Sequence, residues 1–306
     1  MANLDDLPIR ESLKGRVPYG APQLQVPVAL NVNENTHGIP EVVAMDIITR
    51  LAAEVLTINR YPDREFVELR DALAKYLGHD LSREQIWAAN GSNEVIQQIL
   101  QAFGGPGRKA LGFGPTYSMY RIISDGTDTE YVDAGRDERY ELSVETAVAA
   151  IKQHSPDIIL LCSPNNPTGA VYTPEEVEKI VAFAIKHDLW ILDDMIYATL
   201  VWSDHPYTSP CTIPGGAERT ITIGGWSKGW AMTGWRLGWI TGPKVVMDGV
   251  KKINVSAATH VATFMMPAAT VALSLEEETA AMAASFKQRC ELIHGLLSEL
   301  PGVVVP

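Results

Sequence analysis

The sequence is short of cysteine, of clustered positive charge and of long apolar runs, and each shortage closes off a class of function. Its three cysteines, Cys162, Cys211 and Cys290, show no CxxC pair and no paired spacing. Neither a zinc knuckle nor a disulfide framework is read from them, and free thiols in a reducing compartment are the simpler account. Lys and Arg number 25 against 37 Asp and Glu, a net charge of -12. The basic residues are scattered singly, whereas nucleic-acid binding needs them clustered against phosphates. The longest apolar stretch, "ATFMMPAATVAL", is interrupted by Pro267 and too short to span a bilayer, so it reads as a buried helix. The opening residues, "MANLDDLPIRESLKGR", are charged throughout and carry no signal peptide. The glycine-rich pieces "GGPG" and "GFGP" do not follow GxGxxG at a strand-to-helix turn, which argues against a nicotinamide dehydrogenase. These exclusions leave a cytoplasmic globular protein with no nucleic-acid or membrane partner and no metal as the expectation.

What is present is an alternation of short apolar runs and helical patterns. At 306 residues, 46% of them hydrophobic, the chain can bury a large core and begin a second one. Apolar residues at helical spacing mark 64–78, 92–103, 143–154 and 173–188. The last of these opens with a threonine, a proline and two glutamates, a strong helix start. Between them "DIILLCS" (157–163), "LWILDD" (189–194) and "RTITIGG" (219–225) have the length of core strands. The pattern predicts an α/β protein with a mainly parallel central sheet flanked by helices. The first 45 residues read as an extended arm, and 276–300 as a long amphipathic helix. The terminal "PGVVVP" reads as the first strand of a further unit.

Ligands in open α/β sheets collect at the carboxyl ends of strands. Three predicted strand ends deliver polar groups: "SPNNPTG" (163–169), "DDMIY" (193–197) and "WSK" (226–228). Each has an ordinary reading when taken alone. NNPTG is turn chemistry, an Asp after a strand is often a helix cap, and a single Lys is usually solvated. Taken together and in order, with "SKGWAMTGWRLG" completing the third, they resemble the signature segments of the class I/II aminotransferases. These are the fold type I enzymes dependent on pyridoxal 5'-phosphate (PLP), and the resemblance runs from "LNVNEN" (30–35) to the helix near 300.

The resemblance implies a role for each matching residue. Lys228 would hold the cofactor covalently through its amine, and an apolar setting that keeps that amine neutral suits proton transfer. Asp194, rather than Asp193, would keep the pyridine nitrogen protonated, because Tyr197 stands three residues after it. Asn166 and Tyr197 would bond the phenolic oxygen. The phosphate would sit on the amides of Gly91, Ser92 and Asn93 at a helix start, with Arg236 as the cation and Ser227 as a hydroxyl donor. Tyr117 would stack on the ring. Tyr61 would reach the phosphate of a neighbouring subunit's cofactor, which implies a homodimer with shared active sites.

The implied function is transamination from an amino acid or histidinol phosphate to a 2-oxo acid, within amino-acid and histidine biosynthesis. Residues 1 to about 160 resemble histidinol-phosphate aminotransferase, and the remainder resembles aspartate and aromatic aminotransferases. The two meet at 163–169, as a join between subfamilies would, and Tyr19 and Asn93 then become candidates for contacts to a phosphorylated substrate. Two departures stand out. Gly225 occupies a position where many relatives carry a phosphate-binding serine, a loss of about 1–2 kcal/mol. The family's small domain with its carboxylate-gripping arginine normally extends past the long helix, so the expected organisation is an arm (1–45), a large PLP-binding domain (46–275) and the start of an incomplete, truncated small C-terminal domain (276–306). The alternatives are a PLP lyase or decarboxylase on the same fold, and a truncated or recombined scaffold that binds PLP without turnover.

Overall fold

The computed structural model describes residues 6–305, and the sheet at its centre carries the site. Helix α1 spans Glu41–Val55 and α2 spans Val67–Leu77. The alternating part then runs β1 (Ile86–Ala89), α3 (Ser92–Phe103), β2 (Lys109–Gly112), α4 (Met119–Gly126), β3 (Glu130–Asp133), α5 (Val144–His154), β4 (Ile158–Cys162), α6 (Pro174–Lys186) and β5 (Ile191–Asp194). After an irregular stretch come β6 (Thr220–Gly225), β7 (Gly238–Thr241), α7 (Lys244–Asn254), α8 (Met266–Ala272) and α9 (Glu276–Ser298).

The seven strands lie in the order β1-β7-β6-β5-β4-β2-β3. Strand β7 runs antiparallel to both β1 and β6, while the β6-β5, β5-β4, β4-β2 and β2-β3 pairs are parallel. The prediction of a mainly parallel sheet therefore holds. Both faces are covered: strands β1, β4, β5, β6 and β7 are buried at every position. That is why they read as continuous apolar runs instead of alternating ones. One core lies between the sheet and α2, α3, α7 and α8, and includes Trp87, Trp226 and Trp239. A second lies under α5 and α6, around Leu111, Phe113, Val177 and Val181.

The sequence signals for α6 work as read. Thr173 caps it by accepting from the Glu176 amide at 3.2 Å, and the Glu176 carboxylate accepts from the Thr173 amide at 2.8 Å. Such a box is worth about 1 kcal/mol. Residues 262–273 fold as a turn followed by α8, whose Ala268, Ala269 and Ala272 are fully buried, as expected of that apolar stretch. Two expectations need correcting. The arm does not extend to residue 45, because α1 already starts at Glu41 and buries Val43 and Ile47. Residues 301–305 form a turn and irregular chain rather than a strand; valine content favours a strand only where an edge is available to pair with it. Among the described residues no helix is long and apolar enough to cross a membrane.

Candidate active site

A cleft of about 500 Å³ opens at the carboxyl ends of β4, β5 and β6. Its wall brings together Tyr19, Ser92, Asn93, Tyr117, Asn166, Asp194, Tyr197, Ser227, Lys228 and Arg236, all of them singled out in the sequence. Gly91 lies directly behind Arg236. Tyr61 is elsewhere, on an exposed loop, 97% accessible.

The floor is Asp194, the last residue of β5 and 2% exposed. Its Oδ1 accepts from the Ile196 amide at 3.2 Å and its Oδ2 from the Tyr120 hydroxyl at 2.7 Å. Burial pushes its carboxyl up to about 6, against the opposing pull of those two donors. Asp193 points to the opposite face of β5, where the Tyr207 hydroxyl donates to its Oδ2. Burial pushes this acid up to about 7, and the neighbouring Asp194 charge adds to the rise. The choice of Asp194 over Asp193 therefore agrees with which carboxylate faces the cleft. The same separation occurs one strand away. Asn166 lines the cleft, while Asn165 is buried and tied to the Pro115 carbonyl and the Thr168 hydroxyl.

Asn166 Nδ2 donates to the Tyr197 hydroxyl at 3.4 Å, so these two side chains converge on one point of the cleft. Asn33 joins them, donating from Nδ2 to the same hydroxyl at 3.1 Å. Burial raises the Tyr197 phenol to about 12. Lys228 follows β6, and its amine donates to the Asn33 carbonyl at 2.5 Å. Burial lowers its pKa, with Arg236 adding to the drop and Glu34 opposing it. The Asn35 amide in turn donates to the Lys228 carbonyl at 3.0 Å. Asn33, Asn35 and Tyr120 went unnoticed in the sequence. The asparagines lie in the irregular arm, where no periodicity marks a facing side. Tyr120 has the pattern of an ordinary helical core residue.

At the other end of the cleft α3 begins. Gly91, its cap, has φ of +94°, a conformation that favours glycine. A Cβ there would lie 2.9 Å from Arg236 Nη2. Opposite it, a Cβ on Gly238 of β7 would come within 2.5 Å of the Ser92 nitrogen. The two glycines let the helix start, the strand and the guanidinium approach closely. No intrahelical carbonyl can reach the amides of Ser92 and Asn93, and together with Arg236 they make an anion cradle of the kind phosphates occupy. Gly225, where a hydroxyl was expected to be missing, is packed in β6. A Cβ there would lie 2.9 Å from the Leu237 carbonyl oxygen and 3.0 Å from Ile196 Cδ1, so packing accounts for the glycine.

These groups suit PLP. An amine kept less basic by burial lies with an anion cradle at one end, a buried carboxylate at the floor and a convergence of hydroxyl and amide groups between them. The aminotransferase class I and II family matches residues 26–306. A histidinol-phosphate aminotransferase from Paenarthrobacter aurescens (strain TC1) is 46% identical over 298 residues, covering 97% of this chain and 79% of that protein. One from Thermobifida fusca is 42% identical, covering 93% of this chain and 76% of that protein. Each alignment takes in both sides of residues 163–169, so a single relative spans the stretches that resemble different subfamilies. Among solved structures, an aromatic aminotransferase from Pyrococcus horikoshii superposes with a TM-score of 0.80 at 27% identity, covering 88% of this chain and 74% of that one. The aspartate aminotransferase of Thermotoga maritima gives 0.81 at 27% identity, covering 90% and 74%.

Proposed function

The chain belongs to the class I and II aminotransferases, PLP enzymes that pass an amino group to a 2-oxo acid, and from that premise we propose that its amino donor is histidinol phosphate and that it works as a homodimer. The observation that carries the donor assignment is the 46% identity to a histidinol-phosphate aminotransferase over 97% of the chain. The amide-rich wall of the cleft, with Tyr19, Asn31, Asn33 and Asn93, suits a polar donor bearing hydrogen-bonding groups. On the same reading Tyr19 and Asn93 contact the donor, the chain before α1 forms the arm, α1 through residue 275 the PLP-binding domain, and 276–306 belong to the small domain.

The geometry of the cleft supports a role for each residue. Gly91, Ser92, Asn93, Ser227 and Arg236 would hold the cofactor phosphate, Tyr117 would pack on its ring, Asn166 and Tyr197 would bond its phenolic oxygen, and Asp194 would serve its pyridine nitrogen. When bound, PLP would supply a carbonyl carbon open to amines and an electron-accepting ring. Lys228 Nζ, less basic through burial, removes the proton from the donor's α-carbon. The Asn33 carbonyl accepts from that amine, which limits how it can turn in the cleft.

With 2-oxoglutarate as acceptor, histidinol phosphate is expected to give kcat/KM at least about tenfold above aspartate or an aromatic amino acid, a difference of about 1.4 kcal/mol in transition-state binding. Equal or better turnover with aspartate would reassign the donor. Release of carbon dioxide or ammonia without a 2-oxo acid would favour the lyase reading instead.

The dimer reading rests on α1. Val43 and Ile47 face inward, while Val42, Met45, Ile48 and Val55 form an outward apolar stripe that continues into Leu56, Ile58 and Tyr61. An unpaired apolar stripe of this kind marks an interface, and a second copy covering it would bring Tyr61 towards the other cleft. Ile48→Glu with Leu56→Glu is expected to give a monomer by sedimentation velocity, with cofactor affinity lowered as Tyr61 is lost from the partner's site. A dimer that survives both charges would remove this surface from the interface.

A further inference from the structure

Strand β5 ends in two buried acids, and each is bonded by one tyrosine. Asp193 has Tyr207 on the far face of the sheet. Asp194 has Tyr120 on the cleft face, with the hydroxyl 2.7 Å from Oδ2. Tyr120 is in the first turn of α4 and completely buried. Its ring meets Tyr117 edge to face at 5.5 Å. Tyr117 itself spends its hydroxyl on Asn93, at 3.0 Å, and cannot serve Asp194.

A carboxylate offers two oxygens and turns about one bond. The Ile196 amide holds Oδ1 and the Tyr120 hydroxyl holds Oδ2, and among the described residues these are the donors that reach it. Two donors on different oxygens stop that rotation, so the same lone pairs stay turned to the cleft. Remove the hydroxyl and the group can swing about the remaining amide bond, with one oxygen left unbonded in a buried setting. The nearest other groups are spent or turned away: the Cys162 thiol of β4 donates to the Pro164 carbonyl, and Asp193 lies on the far face with Tyr207.

Building on the assignment of Asp194 to the pyridine nitrogen, we propose that Tyr120 is a positioning residue for the cofactor, fixing the Asp194 carboxylate so that it meets the ring N–H. Tyr120 touches neither substrate nor cofactor in this scheme. It acts through Asp194, and its influence is confined to the ring nitrogen.

That confinement makes the test. The probes are PLP and its 1-deaza analogue, in which the ring nitrogen is replaced by CH, and the readout is the dissociation constant from quenching of tryptophan fluorescence. The wild-type protein is expected to prefer PLP by at least about tenfold, the scale of a hydrogen bond to a charged group. Tyr120→Phe removes one oxygen and keeps the ring. It is expected to weaken PLP binding about tenfold, leave the deaza analogue unchanged and so collapse the preference. Tyr120→His, which restores a donor, should recover part of it. Tyr207→Phe, the matching loss on the far face, should lower the melting temperature and leave the preference intact. Equal losses for both probes in Tyr120→Phe would make Tyr120 a packing residue and overturn the proposal. A preference that survives Tyr120→Phe unchanged would overturn it too. A wild-type protein that binds both probes equally would overturn the Asp194 assignment as well. Asp194→Ala separates the two failures, because it removes every partner for the ring nitrogen and abolishes the preference wherever that assignment is right, whatever Tyr120 does.

Discussion

Lys228→Ala is expected to reduce steady-state turnover with histidinol phosphate and 2-oxoglutarate by at least about 10⁴-fold. Proton transfer by a placed general base is worth about 10²–10⁴-fold, and on the role proposed for Lys228 the covalent hold on the cofactor would go with it. The amine has few substitutes in the cleft. A guanidinium offers no acceptor for a proton, and Arg236 is already placed against Gly91 at the start of α3. Lys228→Arg should be nearly as inactive as the alanine variant, because a guanidinium cannot supply a neutral nitrogen. A small primary amine added to Lys228→Ala should restore part of the rate. The melting temperature should change little, since the lysine's side-chain hydrogen bond goes to one carbonyl, that of Asn33. Turnover within tenfold of wild type and without added amine would contradict the role given to Lys228.

Much of this site could be read from the chain alone, and the reason is local. Asn166, Asp194 and Lys228 each follow an apolar run that becomes a strand buried on both faces, and such runs are the most legible pieces of an α/β chain. Where a run stops, the polar residue after it must face solvent or a cleft. Topology then gathers the ends, because β4, β5 and β6 are parallel neighbours. The strands β1, β2, β3 and β7 were harder to see. Each has only four residues, and β2 and β7 include glycine, which weakens strand propensity.

The missed residues share a different cause. Asn33 and Asn35 belong to a stretch with no regular structure, and their roles come from contacts across 164 to 195 positions of sequence, to Tyr197 and Lys228. Tyr120 lies 74 positions from its carboxylate. Three residues after Tyr117, at helical spacing, it reads as packing. Nothing local distinguishes a buried tyrosine that fills space from one whose hydroxyl holds an acid. The reverse error occurred at "PGVVVP", where three valines outweighed the need for a pairing edge.

Asp193→Asn is expected to stabilise the apoprotein above neutral pH. Asp193 is 3% exposed, and its carboxyl is pushed up to about 7 from an ordinary 3.8 by burial. The folded chain therefore binds this proton more tightly than the unfolded chain does. The stability that goes with it is fully present below about pH 3.8 and is lost as pH rises to about 7. Asp194, raised to about 6, adds a loss of the same sign over a window ending one unit lower. At pH 8 both acids would be ionised on neighbouring positions of one strand, with no cation among the described residues bonded to either, an arrangement that buried carboxylates avoid. Asparagine keeps the acceptor for the Tyr207 hydroxyl and removes the charge. Its gain should approach about 4 kcal/mol at pH 8 as an upper bound, from 1.36 kcal/mol per unit, and should vanish near pH 4. Urea denaturation of both apoproteins at pH 4, 6 and 8 measures the difference directly. A variant less stable than wild type at pH 8 would mean that the Asp193 charge is compensated in the fold, and that β5 tolerates two neighbouring anions.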